Sequence, residues 1–306
     1  MKVIIFGGTG FIGSHVVEQL HIAGHQVTVA IRETSNTTFL ESLGVNVVKI
    51  DFSNSVAIGK VIEGHDVVYN CTADAKLHTP ISLDAPVEIA LTRTLIEAAA
   101  LHGASKFIQL SSVVLYDFQT NEPIDESYIS QPEYPIQSLL LERERIVEEV
   151  GRKNGITTIL LRPASTIGVR DTSSFFARLF TAHTSDLYPM IGNGTTKVSL
   201  VDTRDIGRAM AWLGTYQKSE HDNDIFLLKG FDTTWGQLKA EIDHAIGRIA
   251  KTINFSEGLP SFALKTFTVN RLWNDNKIRN IGFKTKYSLT NSVEAAVHDL
   301  ISRNSF

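Results

Sequence analysis

Gly7-Gly8-Thr9-Gly10-Phe11-Ile12-Gly13 follows directly on the apolar run Val3-Ile4-Ile5-Phe6 and opens a stretch in which Ile12, Val16, Val17 and Leu20 recur at helical spacing. A buried strand, a glycine turn and a helix in immediate succession form the entry to a βαβ unit. Gly8, Gly10 and Gly13 fit G-x-G-x-x-G, while Gly7, Gly10 and Gly13 fit the related G-x-x-G-x-x-G spacing. Glycine serves here for three reasons: the turn is tight, a pyrophosphate must approach the backbone, and the helix must lie close on the strand with its N-terminus toward the anion. The motif points to a bound dinucleotide.

Outward from this turn, apolar runs of strand length at 3–6, 27–31, 45–50, 67–69, 107–110 and 157–161 alternate with helical stretches at 12–23, 56–63, 87–102 and 136–153. Short strands separated by helices pair in parallel through right-handed crossovers, so the fold class is α/β with a doubly wound parallel sheet. After Leu161 the pattern turns irregular. Residues 1–162 read as the dinucleotide-binding domain, with 198–229 returning to its sheet. Residues 163–197 and 230–306 read as a smaller C-terminal substrate lobe.

With 43% hydrophobic and 20% charged residues and a net charge of −4, the composition gives no electrostatic reason to expect nucleic acid or an anionic membrane. No run approaches the roughly 18 apolar residues needed to cross a bilayer, and the first apolar run is too short for a signal peptide. The one cysteine, Cys71, lies in the apolar run Val67-Val-Tyr-Asn-Cys71 and reads as a buried reduced thiol. A cytoplasmic protein is expected. Histidines show no ligand spacing with cysteine or clustered acids, so no metal site is expected. Ser111-Ser112 lacks the G-x-S-x-G elbow of a hydrolase nucleophile. The alternating run Glu142-Arg143-Glu144-Arg145 reads as a solvated helix face.

An acid is needed about 20 residues past the glycines to hold the ribose 2′-hydroxyl of NAD, and at that place stand Ile31 and Arg32. A guanidinium suits a 2′-phosphate, so NADP is favoured and NAD, through Glu33, is the alternative. Asp51, past the third strand, is placed to meet the adenine amino group; its two structural alternatives are an N-cap for the helix from Val56 and a polar turn residue.

Together with the glycine turn, Asp51-Phe52, Asn70-Cys71-Thr72-Ala73, Leu110-Ser111-Ser112, Leu161-Arg162-Pro163, Gly192-Asn193-Gly194 and Ile281-Gly282-Phe283 make the chain resemble the extended short-chain dehydrogenase/reductase family. The resemblance covers nearly the whole chain. It implies a Rossmann sheet and cofactor contacts at Gly7, Thr9, Gly10, Phe11, Ile12, Gly13, Arg32, Asp51, Phe52, Cys71, Thr72, Ala73 and Pro163. Family members also use a serine or threonine with a tyrosine and lysine spaced Y-x-x-x-K. Carried over without a gap, the hydroxyl is Ser112, the tyrosine Tyr134, and the lysine position holds Ser138.

A tyrosine with no ammonium beside it titrates near 10, about three units above neutral pH, which sets about 4 kcal/mol against the phenolate. Alcohol oxidation suffers most, because it needs the base; a neutral phenol still donates a proton to a carbonyl. The expected activity is therefore NAD(P)-dependent reduction of a carbonyl in a small molecule, with Ser112 polarising the carbonyl and Tyr134 donating the proton. Two alternatives stand beside it: a catalytically silent NADP-binding protein and an NAD-dependent nucleotide-sugar epimerase. Pairing of two copies through helices 87–102 and 136–150 is expected to make a homodimer.

Overall fold

The structure, a computed structural model, describes residues 1–73, 85–216, 223–254 and 260–304. In chain order the first elements are β1 (Lys2–Phe6), α1 (Phe11–Ile22), β2 (Gln26–Ile31), α2 (Thr38–Leu43), β3 (Asn46–Lys49), α3 (Ser55–Ile62) and β4 (Val67–Asn70). There follow α4 (Ala85–Leu101), β5 (Lys106–Leu110), a 3-10 turn (Val113–Leu115), α5 (Pro135–Asn154) and β6 (Thr157–Pro163). Next come β7 (Ser165–Ile167), α6 (Phe175–Thr184), β8 (Tyr188–Met190), β9 (Lys197–Asp202) and α7 (Thr203–Thr215). The last are β10 (Asp224–Leu228), β11 (Phe231–Thr234), α8 (Trp235–Ile246), β12 (Thr252–Asn254), α9 (Ser261–Thr268), α10 (Asn276–Asn280) and α11 (Leu289–Asn304).

The chain forms two compact units. The first comprises Met1–Tyr116, Ser130–Arg162 and Ile206–Phe226. Its seven-stranded sheet has the order β10-β6-β5-β4-β1-β2-β3, and the pairs from β6 across to β3 run parallel. Reversal of the order beside β1 is what makes the sheet doubly wound. Alternation along each strand sends side chains to opposite faces. Ile4, Phe6, Ala30, Val68, Phe107 and Leu160 pack with α3, α4 and α5. The intervening residues Ile5 and Val29 meet Gly8 and Val17 of α1, and Tyr69 meets Gly214 of α7, so α1 and α7 cover the other face. Small residues permit the closest approaches: a Cβ on Gly207 would lie 2.6 Å from the His15 carbonyl oxygen, and one on Gly59 would lie 2.7 Å from the His102 ring.

The second unit comprises Asp117–Ile129, Pro163–Asp205 and Leu227–Phe306. It holds a three-stranded sheet, β11-β9-β7, with β9 antiparallel to β11 and parallel to β7, and a two-stranded parallel sheet of β8 and β12. Ile167, Phe176, Phe180, Tyr188, Leu238 and Val297 are among its core side chains. Beside them, the half-buried Asp243 carboxylate accepts from Lys239 Nζ at 2.7 Å and sits 2.7 Å from His183 Nε2.

One expectation is corrected here. The strand expected from Val198 forms, yet it joins β7 and β11 rather than the large sheet, to which β10 and the helix α7 return. Strand character is a local property and was readable; the choice of partner is set by long-range pairing, which the apolar run alone does not encode.

Candidate functional site

Gly7 has φ +82°, the left-handed region that favours glycine. A Cβ there would lie 2.5 Å from the Cys71 carbonyl oxygen, so the turn is pressed directly on the end of β4. A Cβ on Gly13 would lie 2.1 Å from the Gly7 carbonyl oxygen, which explains the close seating of α1 on β1. Gly10 differs: its Cβ would meet only the Gly7 oxygen, at 3.3 Å, and it is exposed together with Thr9. Of the two spacings, the close approaches at both ends of the turn belong to Gly7 and Gly13, while Gly8 packs on Val17 and Val29. Gly10 is also the N-cap of α1, and no side chain caps the helix and no acid stands in its first turn. Phe11 and Ile12 are half-buried and Gly13 buried. The first-turn N–H groups can thus accept an anion, as helix N-termini behind such turns do.

At the end of β2 Arg32 is exposed, and its guanidinium has no partner among the described residues. Glu33 beside it is paired with Lys49 at 3.0 Å. The free group at this strand end is therefore a cation, suited to a phosphate. Asp51 accepts from the Ser53 amide and hydroxyl, bonds that hold its carboxyl below the usual carboxylate range. Of its two expected structural roles, capping falls to another residue: the side chain that caps α3 is Asn54, on the Ala57 amide at 3.0 Å. The half-buried ring of Phe52 packs edge-on against Phe6, centroids 5.7 Å apart.

Past β4, Cys71 is buried, and burial pushes its thiol up to about 12. Thr72 donates from its amide and hydroxyl to Asn70 Oδ1, at 3.0 and 2.6 Å, which folds the strand end into a tight turn with Ala73 exposed beyond it. Pro163, the last residue of β6, is buried.

Past β5, Ser112 is half-buried and its hydroxyl accepts from the Val114 amide at 3.1 Å, capping the 3-10 turn. Tyr134 is the half-buried N-cap of α5. One side chain joins the two segments: Gln137 accepts from the Tyr134 amide at 3.0 Å and the Glu133 amide at 2.7 Å, and donates to the Tyr116 carbonyl at 2.8 Å.

Two expectations about α5 are corrected by its helical phase. Ser138 is exposed, on the same row as the exposed Arg145 and Glu149, seven and eleven residues on. The residue carried onto the family's lysine thus points to solvent, and the opposite, buried face carries Leu140 and Glu144. Nor is the run 142–145 a uniformly solvated face. Glu142 and Arg145 are on the outside, but Arg143 and Glu144 are each 3% exposed. Leu139, Leu140, Ile146, Val147 and Val150 mark the buried face, and a helical wheel drawn from them would have found both residues.

Arg162 Nε and Nη2 donate to the Glu144 carboxylate at 2.9 and 2.5 Å, Ser111 donates to the same carboxylate, and Arg162 Nη1 donates to the Tyr116 hydroxyl at 2.6 Å. Burial opposes the charge on Arg162, but Glu144 outweighs it and raises the guanidinium further above its ordinary value. Arg143 is served separately: it donates to Thr92 Oγ1 at 2.9 Å, Glu88 at 3.0 Å and the Thr72 carbonyl at 2.9 Å. These buried networks brace the ends of β4, β5 and β6 around the glycine turn.

The family model described as the NAD dependent epimerase/dehydratase family matches residues 3–228. The sterol-4-alpha-carboxylate 3-dehydrogenase, decarboxylating, of Mus musculus is 25% identical over 211 residues, 67% of this chain and 57% of that protein. This chain therefore spans little more than half of that relative's length. The photosystem II assembly factor Ycf39 of Trieres chinensis is 25% identical over 311 residues, 98% of this chain and 86% of that protein. Among solved structures, UDP-glucuronic acid 4-epimerase from Bacillus cereus, in complex with UDP-glucuronic acid and NAD, superposes with a TM-score of 0.86 at 21% identity, over 99% of this chain and all of that one. The structural likeness shows the fold.

Proposed function

The chain belongs to the NAD-dependent epimerase/dehydratase family, and from that membership we infer that it binds NADP(H) and reduces a carbonyl in a small molecule. Gly7, Gly10, Gly13 and the first turn of α1 would hold the pyrophosphate, with Thr9, Phe11, Ile12, Asp51, Phe52, Cys71, Thr72, Ala73 and Pro163 as further contacts. Arg32 would hold the 2′-phosphate. Bound there, the nicotinamide supplies the hydride. Ser112 would polarise the substrate carbonyl and Tyr134 donate the proton, a role that a neutral phenol fills.

The observation that carries the reading of the reaction is the Gln137 bridge, which ties the Tyr134 backbone to the turn that follows Ser112. The cofactor preference rests on Arg32 being free while Glu33 is engaged by Lys49. Calorimetry with NADPH and NADH tests the preference: NADPH should bind more tightly, and Arg32→Ala should remove most of the difference. Equal affinities in the parent protein refute it. A carbonyl panel with NADPH tests the reaction, which Tyr134→Phe should abolish.

A second reading, a dinucleotide-binding protein without turnover, is favoured by the solvent-facing Ser138 and the apolar Leu140 on the inner row of α5, neither of which supplies an ammonium. The similarity to an assembly factor over nearly the whole chain points the same way. Tight NADPH binding with no turnover across the panel decides for it. Pairing of two copies through α4 and α5 belongs to either reading. The outer rows of these helices carry the pairs Arg93–Glu97 and Arg145–Glu149, so association there should weaken with salt, as light scattering would show.

A further inference from the structure

We propose that Arg143 is a positioning residue for the dinucleotide: from inside α5 it holds the turn at the end of β4 against which the glycine turn is formed. This rests on the dinucleotide reading of the glycine turn and deepens it.

Thr72 joins two successive peptides. In the first, the Cys71–Thr72 peptide, the Cys71 carbonyl oxygen and the Thr72 amide nitrogen lie 2.5 and 2.8 Å from where a Gly7 Cβ would be, so a shift of this peptide is felt by Gly7. In the second, the Thr72–Ala73 peptide, the Thr72 carbonyl accepts from Arg143 Nη2 at 2.9 Å. Gly7 in turn bounds Gly10 and Gly13 through its own carbonyl oxygen. The guanidinium is therefore linked to the open end of the turn through the Thr72 backbone and the close packing of the Cys71–Thr72 peptide on Gly7.

Arg143 is fitted for this position by its shape. A planar guanidinium presents several donors in a fixed fork, and here three separate nitrogens serve three acceptors on α4 and the β4 end: Thr92 Oγ1, Glu88 and the Thr72 carbonyl. Burial lowers its tendency to stay charged, and the Glu88 and Glu144 carboxylates oppose that. The ion pair with Glu88 supports the fold, whereas the bond to Thr72 aims the turn, so the two roles can be separated by mutation.

Three variants do so: Arg143→Met, Glu88→Met and the double variant. Each single change leaves one buried charge without its partner and should lower the urea midpoint. The double change leaves none and should return the midpoint close to the parent's, because a buried pair replaced by apolar residues of similar size is well tolerated. Affinity should follow a different order. Measured by calorimetry with NADPH, Glu88→Met should bind within about twofold of the parent, while Arg143→Met and the double variant should both bind at least tenfold more weakly.

Recovery of stability without recovery of affinity is the expected result, and the double variant gives it even where Arg143→Met does not fold. A double variant that binds NADPH as the parent does overturns the proposal and leaves Arg143 a structural residue only. A parent that binds neither NADPH nor NADH overturns the dinucleotide reading and the proposal with it.

Discussion

Adding one methyl group at Gly13 should lower stability and at Gly10 should leave it nearly unchanged, because the tight backbone contact stands at Gly13 alone of the two. A Gly13 Cβ would lie 2.1 Å from the Gly7 carbonyl oxygen and 2.9 Å from its carbon. A tolerable C···O contact is roughly 3.3 Å, so the gap must widen by about 1.2 Å. Gly7 cannot retreat, since the Cys71–Thr72 peptide stands behind it. Overpacking of this kind costs about 1–3 kcal/mol, and the better helix propensity of alanine returns about 1 kcal/mol. Gly13→Ala should therefore lose up to about 2 kcal/mol in urea denaturation. A displacement of about 1 Å in the turn should also weaken NADPH binding, because the backbone that the pyrophosphate approaches moves with it.

Gly10→Ala is the counterpart. Gly10 has φ −78°, which alanine adopts freely, and its Cβ would meet just one neighbouring atom, the Gly7 carbonyl oxygen at 3.3 Å, on the exposed side of the turn. The fold should keep its urea midpoint, while the methyl occupies the space an incoming pyrophosphate needs and removes NADPH binding. Calorimetry beside denaturation reads both. If Gly10→Ala binds NADPH with the parent's affinity, or Gly13→Ala leaves stability and affinity unchanged, the account of the turn is wrong.

Further outcomes follow from the buried groups. Arg162→Met leaves Glu144 buried without its partner and should destabilise by about 3–5 kcal/mol, most of it recovered in Arg162→Met/Glu144→Leu, as thermal denaturation would show. Tyr69 is fully buried and its hydroxyl has no hydrogen-bond partner among the described residues, so Tyr69→Phe should raise stability in urea by about 1 kcal/mol; a loss would mean that the hydroxyl is satisfied. Ser138→Lys adds a charge on the solvent face of α5 and should change stability by less than about 0.5 kcal/mol, with no gain of turnover; a gain would return the lysine position to Ser138. Burial opposes ionisation of Asp243, but Lys239, the Ala250 amide and His183 together hold its carboxyl below the usual range. With the folded value below the unfolded one, this stabilisation is complete above the unfolded value and is lost as pH falls through the folded one. Asp243→Asn should therefore flatten the dependence of the thermal midpoint on pH below about pH 4.

The sheet was legible because β1, β2, β4, β5 and β6 are buried on both faces over most of their length and so appear as largely apolar runs, while β3, at the edge, keeps Val47 and Val48 half-buried. The site was legible where glycine is obligatory, at Gly7 and Gly13, since a close approach of backbone to backbone excludes every other residue. Arg143 and Glu144 were misread because an alternating charge run has the same spelling on a wet face and on a face that contributes two buried guests. The apolar residues on either side carried the missing phase. The same phase would have turned Ser138 outward, a warning against carrying a family spacing along a helix without checking which face it follows. Gln137 was missed for another reason: its partners are backbone groups, and backbone groups leave no trace in a sequence.

Adjacency of Arg143 and Glu144 has a consequence for how α5 can change over generations. Successive residues on a helix point about 100° apart, and here each is committed to a different set of strand ends, β4 for one and β5 with β6 for the other. Rolling the helix by one residue in either direction releases both grips, and exchanging the two residues sets like charge against like. Length changes in the loop before Tyr134 can be absorbed by the loop; an insertion between Leu140 and Arg143 cannot. Related chains should therefore drift freely at Ser138, Glu142, Arg145 and Glu149 while the two inner positions change only together with Glu88 or Arg162, so that the joint substitution pattern at these four sites records the rotational setting of the helix.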